Sequence, residues 1–114
     1  MAVEPSRGEV WRVDLEPVRG HEQGRTRPCV VVSDDLFNHG PAGIVAIVPL
    51  TSRARGVPLH VVVDPPDGGI TERSFIKCED LRSVSVERFS KRYGALSETV
   101  MREIEDRLRI FLGL

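Results

Sequence analysis

The sequence predicts a mainly β domain with helical additions: a small, strongly bent β-barrel closed by a C-terminal α-helix. Three observations carry that expectation. Short apolar runs rich in valine and isoleucine recur between residues 8 and 84, each bounded by Gly, Pro, Asp or Ser. A sustained helical period occurs once, near the C-terminal end. The 114 residues suffice for one core, so a single domain over 1–114 is expected, with a flexible start over 1–6.

The elements follow in order. Residues 8–15, GEVWRVDL, read as a first strand with Trp11, Val13 and Leu15 on one face. A polar loop then runs from residue 16 to the foot of the next strand, and loops of that length without structure of their own usually do something. Residues 28–33, PCVVVS, form a short buried strand that tolerates Pro28 as its first residue. Ser33, Asp34 and Asp35 cap a helical turn that runs to Asn38, and His39-Gly40-Pro41 ends it. Residues 43–51, GIVAIVPLT, are a third strand, buried on both faces, and residues 59–64, LHVVVD, a fourth. DPPDGG, residues 64–69, is a tight loop. Residues 74–84 read as one long alternating strand, with Lys77 and Glu79 outward and Arg82 after a bulge. A helical turn over 86–89 and a last strand over 92–96 follow. Ser97 caps the final helix, in which Val100, Met101, Ile104, Leu108, Phe111 and Leu112 make one apolar stripe up to Gly113.

Composition narrows the function classes. The chain is 40% hydrophobic and 29% charged, an ordinary globular balance. No apolar run approaches the ~18–20 residues of a membrane span, and no signal peptide is seen, so a cytoplasmic protein without a membrane partner is expected. Cys29 and Cys78 lie within apolar runs and read as reduced buried thiols. Net charge is −1, yet its distribution is uneven. Of sixteen cationic side chains only Lys77 and Lys91 are lysines; the rest are arginines, whose planar fork suits phosphate. Residues 17–33 hold Arg19, Arg25 and Arg27 against Glu22 alone, and residues 50–63 hold Arg53 and Arg55 against no acid. A neutral total can therefore hide a cationic face.

That face suits a phosphodiester. Cutting RNA without a metal requires the 2′-hydroxyl to attack its own phosphate, while the enzyme neutralises charge on the phosphoryl oxygens. An arginine pinned at the start of a rigid strand suits this task, and Arg27 is that residue. Thr51 ends a neighbouring strand and offers a hydroxyl, with Ser52 beside it. No spacing in the sequence fits a zinc site, a nucleophilic-serine elbow or a phosphate-cradling loop, and no cofactor is expected. His21, His39 and His60 are scattered; His60 alternates with core valines and reads as structural, while His21 stands in the charged loop as a possible proton shuttle. Plain structural roles remain open: Arg27 can pair with Glu22, and Thr51 can end its strand by bonding backbone. Residue chemistry alone leads to a phosphate- or nucleic-acid-binding barrel.

Three segments take the reading further: RGEVWRVDLEPVRGHEQGRTRPCVVVSDDLFN (7–38), IVAIVPLTS (44–52) and KCEDLRSVS (77–85). Their order, with GxEQxxxRPxxVxS ahead of a PxTS strand end, resembles the MazF/PemK toxins of bacterial toxin–antitoxin pairs over residues 7–114. The resemblance implies an SH3-like barrel that dimerises. It implies an endoribonuclease that cuts single-stranded RNA at short sequences without metal, leaving a 2′,3′-cyclic phosphate and a 5′-hydroxyl. It also implies a cognate antitoxin, MazE-like or another small acidic protein. The family's arginine before proline falls on Arg27, its partner hydroxyl on Thr51 and its loop Glu-Gln pair on Glu22 and Gln23. The catalytic set implied is thus Arg27, Thr51 and Glu22. RNA contact is expected from Arg19, His21, Gln23, Arg25, Ser52, Arg53, Lys77, Glu79 and Arg82. Lys77 and Glu79 stand where the plasmid branch has an Arg and an Asp, so contact with RNA is the safer role for them. The alternative in the same fold is a gyrase poison without ribonuclease activity. That branch depends on a C-terminal Trp-Gly-Ile, whereas this sequence reads Phe111-Leu112-Gly113-Leu114.

Overall fold

The computed structural model describes residues 3–15 and 25–114. Seven strands are described: β1 (Glu9–Asp14), β2 (Thr26–Val31), β3 (Ile44–Thr51), β4 (His60–Val63), β5 (Ser74–Lys77), β6 (Arg82–Ser85) and β7 (Phe89–Ala95). A single helical turn, α1 (Asp35–Asn38), lies between β2 and β3, and α2 (Glu98–Leu112) closes the chain. Three short 3-10 turns, at Asp67–Gly69, Cys78–Asp80 and Val86–Arg88, link the later strands.

All pairings are antiparallel, in the order β4-β5-β3-β2-β1-β7, with β6 also on β3. The path has two ends, so the sheet is not closed. The mostly β fold with a C-terminal helix is as expected; the described pairings form an open seven-stranded path without the closure of a barrel. Residues 74–84 were expected as one long strand. The 3-10 turn at Cys78–Asp80 divides them. β5 pairs with the end of β3 at Leu50 and Thr51, while β6 pairs with its beginning, Ile44 to Ile47. One edge of β3 thus serves two strands, and the described pairings leave β4, β6 and β7 each with one unpaired edge.

The period-two alternation of strands sorts the apolar side chains into two clusters. Val10, Val30, Val48 and Leu50 face one way, with Val61, Val63 and Ile76, and α2 covers them with Val100 and Ile104. Trp11, Val13, Cys29, Val31, Val45 and Ile47 face the other way and meet Val84 and Phe89. There the Trp11 and Phe89 rings pack edge to face, centroids 5.6 Å apart. Both cysteines are free and buried, as expected. Among the described residues no helix is long and apolar enough to cross a membrane.

The closing helix is capped at both ends. Ser97 Oγ accepts from the Val100 N–H, and Gly113 adopts the left-handed conformation that ends the last turn. Asp67 grips Ser97 from the preceding loop, accepting from its N–H at 2.7 Å and its Oγ at 2.8 Å. The apolar stripe is buried over its first half only: Ile104 is fully buried, while Phe111 and Leu112 stay about half exposed. The expected flexible start overlaps an anchor: Pro5 is buried, and the Ser6 N–H donates to Glu9 Oε1 at 2.8 Å. Arg7 then donates to the carbonyl of Val32 and to Glu105 of α2.

Candidate active site

The site begins with strand register. β2 and β3 pair Val31 with Ile47, Val30 with Val48 and Cys29 with Pro49. The pairing ends two residues short of Arg27 and Thr51, which lie at the ends of the same two strands. β5 flanks the other side of the β3 end, with Phe75 beside Thr51 and Ile76 beside Leu50. The feet of β2, β3 and β5 therefore meet at one rim.

An open groove of about 980 Å³ lies over that rim. Arg25, Arg27, Arg53, Arg55 and Lys77 line it, with Glu72 as the carboxylate among its lining residues. Thr26, Thr51, Ser52 and Ser74 add hydroxyls. A shallower depression of about 340 Å³ adjoins it, sharing Arg25, Arg27 and Lys77 and adding Arg82. The cationic track thus continues around the foot of β2.

Arg27 is half-buried, and among the described residues no carboxylate pairs with it. Beneath it, burial pushes the Cys29 thiol up to about 12, against the pull of the nearby Arg82 and Arg27 charges. That thiol is no nucleophile at neutral pH. Thr51 Oγ1 accepts from the Arg53 N–H at 3.2 Å, an arrangement that leaves its own hydrogen to donate elsewhere. Lys77 is held by Asp80 at 2.9 Å.

The sequence-predicted set divides. Arg25, Arg27, Thr51, Ser52, Arg53 and Lys77 gather at the groove, and Arg82 joins at the adjoining depression. Arg19, His21, Glu22 and Gln23 lie outside the described residues. Glu79 departs from expectation. It falls within the 3-10 turn that breaks the expected strand, yet Lys77 and Glu79 still alternate with the buried Ile76 and Cys78. Its carboxylate meets the buried His60 Nε2 at 2.8 Å. Two charged residues lining the groove stood outside the expected set. Arg55 was marked only as part of an acid-free run, and Glu72 sits in a turn where no periodicity points a side chain. Among the described residues no three His, Cys, Asp or Glu side chains gather as they would around a metal ion.

The profile of PemK-like, MazF-like toxins of type II toxin–antitoxin systems matches residues 6–112. The chain belongs to this family. Endoribonuclease MazF9 of Mycobacterium tuberculosis is 34% identical over 113 residues, 95% of this chain and 96% of that protein. The MazE-MazF crystal structure from Deinococcus radiodurans superposes with a TM-score of 0.84 at 27% identity, covering 98% of each chain. An endoribonuclease in complex with its cognate antitoxin from a mycobacterial species superposes with a TM-score of 0.76 at 25% identity, covering 97% of this chain and 95% of that one. These likenesses run the length of the fold, through the groove as well as the core.

Proposed function

We propose that this PemK/MazF-family protein is a sequence-specific, metal-independent endoribonuclease toxin that cuts single-stranded RNA. The observation that carries the reading is Arg27 on β2 and Thr51 on β3 lining one groove among arginines. The phosphodiester lies against Arg27, whose fork holds two phosphoryl oxygens as charge builds on them. Thr51 donates its hydroxyl to the same group. The ribose 2′-oxygen attacks phosphorus, the bond to the 5′-oxygen breaks and that oxygen takes a proton from water, leaving a 2′,3′-cyclic phosphate and a 5′-hydroxyl. An arginine is a poor proton acceptor, and Glu79 is engaged by His60. Glu22, from the loop between β1 and β2, is therefore assigned the proton of the 2′-hydroxyl. Arg25, Arg53, Lys77 and Arg82 hold the flanking phosphates, with Arg19, His21, Gln23 and Ser52 on the same strand of RNA.

The 34% identical relative named as an endoribonuclease supports this reading over a gyrase poison of the same fold. The toxin acts in the cytoplasm as a homodimer. A cognate antitoxin, MazE-like or another small acidic protein, silences it by laying carboxylates over the arginines of the groove. The solved complex of a related endoribonuclease with its cognate antitoxin supports that partnership.

The test is cleavage of end-labelled single-stranded RNA in excess EDTA. Products ending in cyclic phosphate and 5′-hydroxyl are expected. RNA that stays intact until a divalent metal is supplied would overturn the metal-independent chemistry, and RNA intact under both conditions the ribonuclease itself.

A further inference from the structure

A second, smaller pocket of about 150 Å³ opens beside the groove and shares Pro28, Glu72 and Ser74 with it. Its far wall is Tyr93, on β7. The pocket has a rigid frame. Gly69 lies so close to β7 that a Cβ there would fall 2.0 Å from the Tyr93 carbonyl oxygen, so the loop ahead of Glu72 is pressed against that strand. Arg73 is held by Asp64 through two bonds of 2.6 and 3.0 Å. Ser74 Oγ donates to the Glu72 carbonyl at 3.0 Å. These contacts hold the backbone on either side of Glu72, yet among the described residues no side chain pairs with its carboxylate. The neighbouring arginine is already committed to Asp64. Lys91 lies over the Tyr93 ring, 5.6 Å from its centroid, and keeps positive charge at the outer wall.

A lone carboxylate in a groove built for phosphate repels the backbone of RNA. It must meet something that donates hydrogen bonds. Unstacked bases do so on their Watson–Crick edges, and they also seek aromatic walls. Guanine alone sets two donors side by side, N1–H and the 2-amino group, to match two carboxylate oxygens. Adenine and cytosine set one donor beside an acceptor, and uracil sets one donor between two carbonyls. Acceptors facing a carboxylate repel it.

Resting on the ribonuclease reading, we propose that the pocket between Glu72 and Tyr93 is a base subsite that selects guanine at one position flanking the scissile bond. Glu72 reads the edge of the base and Tyr93 supplies its stacking wall.

The test separates recognition from chemistry. A random library of short, fully 2′-O-methylated single-stranded RNA binds without being cut, so sequences retained by the protein report preference at each position. Guanine enriched at one position is expected. Glu72→Gln should cut that enrichment about tenfold and pass it to adenine or cytosine, whose donor–acceptor edges match an amide. Tyr93→Ala should weaken binding of the whole library about tenfold, and Tyr93→Phe should restore it. No enriched guanine, or enrichment unchanged in Glu72→Gln, overturns the subsite, as does full affinity in Tyr93→Ala. In parallel, wild-type protein is given unmodified RNA. Cleavage there with an unchanged Glu72→Gln profile sinks the subsite alone. Guanine selection without cleavage sinks the ribonuclease and leaves the subsite standing.

Discussion

Arg7 and Arg27 both stand at or just before the start of a strand, and their surroundings differ completely. Arg7 spends every part of itself on the fold. Its N–H donates to Asp35 at 2.7 Å, and its guanidinium reaches the Val32 carbonyl and Glu105, the latter at 2.6 Å. One residue thus ties the end of β2, the turn α1 and the helix α2. Arg27 holds no carboxylate among the described residues and faces a groove shared with four other cations. The same guanidinium is structural where acids surround it and available where they are missing. Within a protein of net charge −1, that placement of acids leaves one groove cationic.

The sharpest way to break this comparison is to exchange each arginine for alanine. Arg27→Ala should lower the rate of RNA cleavage by about 10²- to 10³-fold, the usual loss for one fixed oxyanion donor, with the melting temperature unchanged. Arg7→Ala should do the reverse. It should cost about 1–2 kcal/mol of stability in a denaturant melt, limited by the 42% exposure of the Glu105 side chain, and leave turnover of the folded enzyme intact. A cleavage rate that survives Arg27→Ala would remove this arginine from the chemistry. A melt shifted equally by both variants would erase the distinction.

Thr51→Ala comes next in size. Its hydroxyl is a neutral donor beside a charged one, so a loss of about tenfold in cleavage rate is expected, about 1.4 kcal/mol at the transition state. RNA affinity, read on an uncleavable strand, should barely move, since five cations line the groove. A loss confined to affinity would make Thr51 a binding residue and leave Arg27 alone at the reacting phosphate.

How much of this the sequence discloses depends on what sets each side chain's direction. β3 was legible because GIVAIVPLT is apolar throughout between clear turn residues, and α2 because its period, cap and terminal glycine agree. Arg27 and Thr51 were legible because strand ends fix direction, and both line the one groove. The break between β5 and β6 was not. Residues 78–80, Cys-Glu-Asp, contain neither Gly nor Pro, and their apolar–polar alternation continues the strand pattern through the 3-10 turn. The turn leaves Glu79 half-exposed like Lys77 and brings its carboxylate to His60 on β4, a contact that no local period announces. Arg55 and Glu72 sit in loops, where direction comes from tertiary contacts such as the Arg73–Asp64 fork, and no local period could have aimed them.

Acid offers the gentlest probe of the contrast, because the carboxylates that hold the N-terminal region are depressed. Burial alone would raise the Glu9 carboxyl, but bonds from Trp11, Arg92 and the Ser6 N–H outweigh it and hold the group below its usual range. Asp35 is lowered chiefly by the Arg7 N–H, with Asn38, His39 and the Arg7 charge adding to it. For a carboxyl depressed on folding, the stabilisation is fully present above the unfolded pKa, about 4, and is lost as pH falls through the lower folded value. The melting temperature should therefore be level from neutrality down to about pH 5 and decline below about 4. Glu9→Gln should lower the level region slightly and flatten the decline, since a neutral amide cannot respond to the proton. Arg27→Ala should leave the profile as it is. A melting temperature level to pH 3, or a decline just as steep in Glu9→Gln, would show that these bonds do not hold the N-terminal strand and its anchor in place.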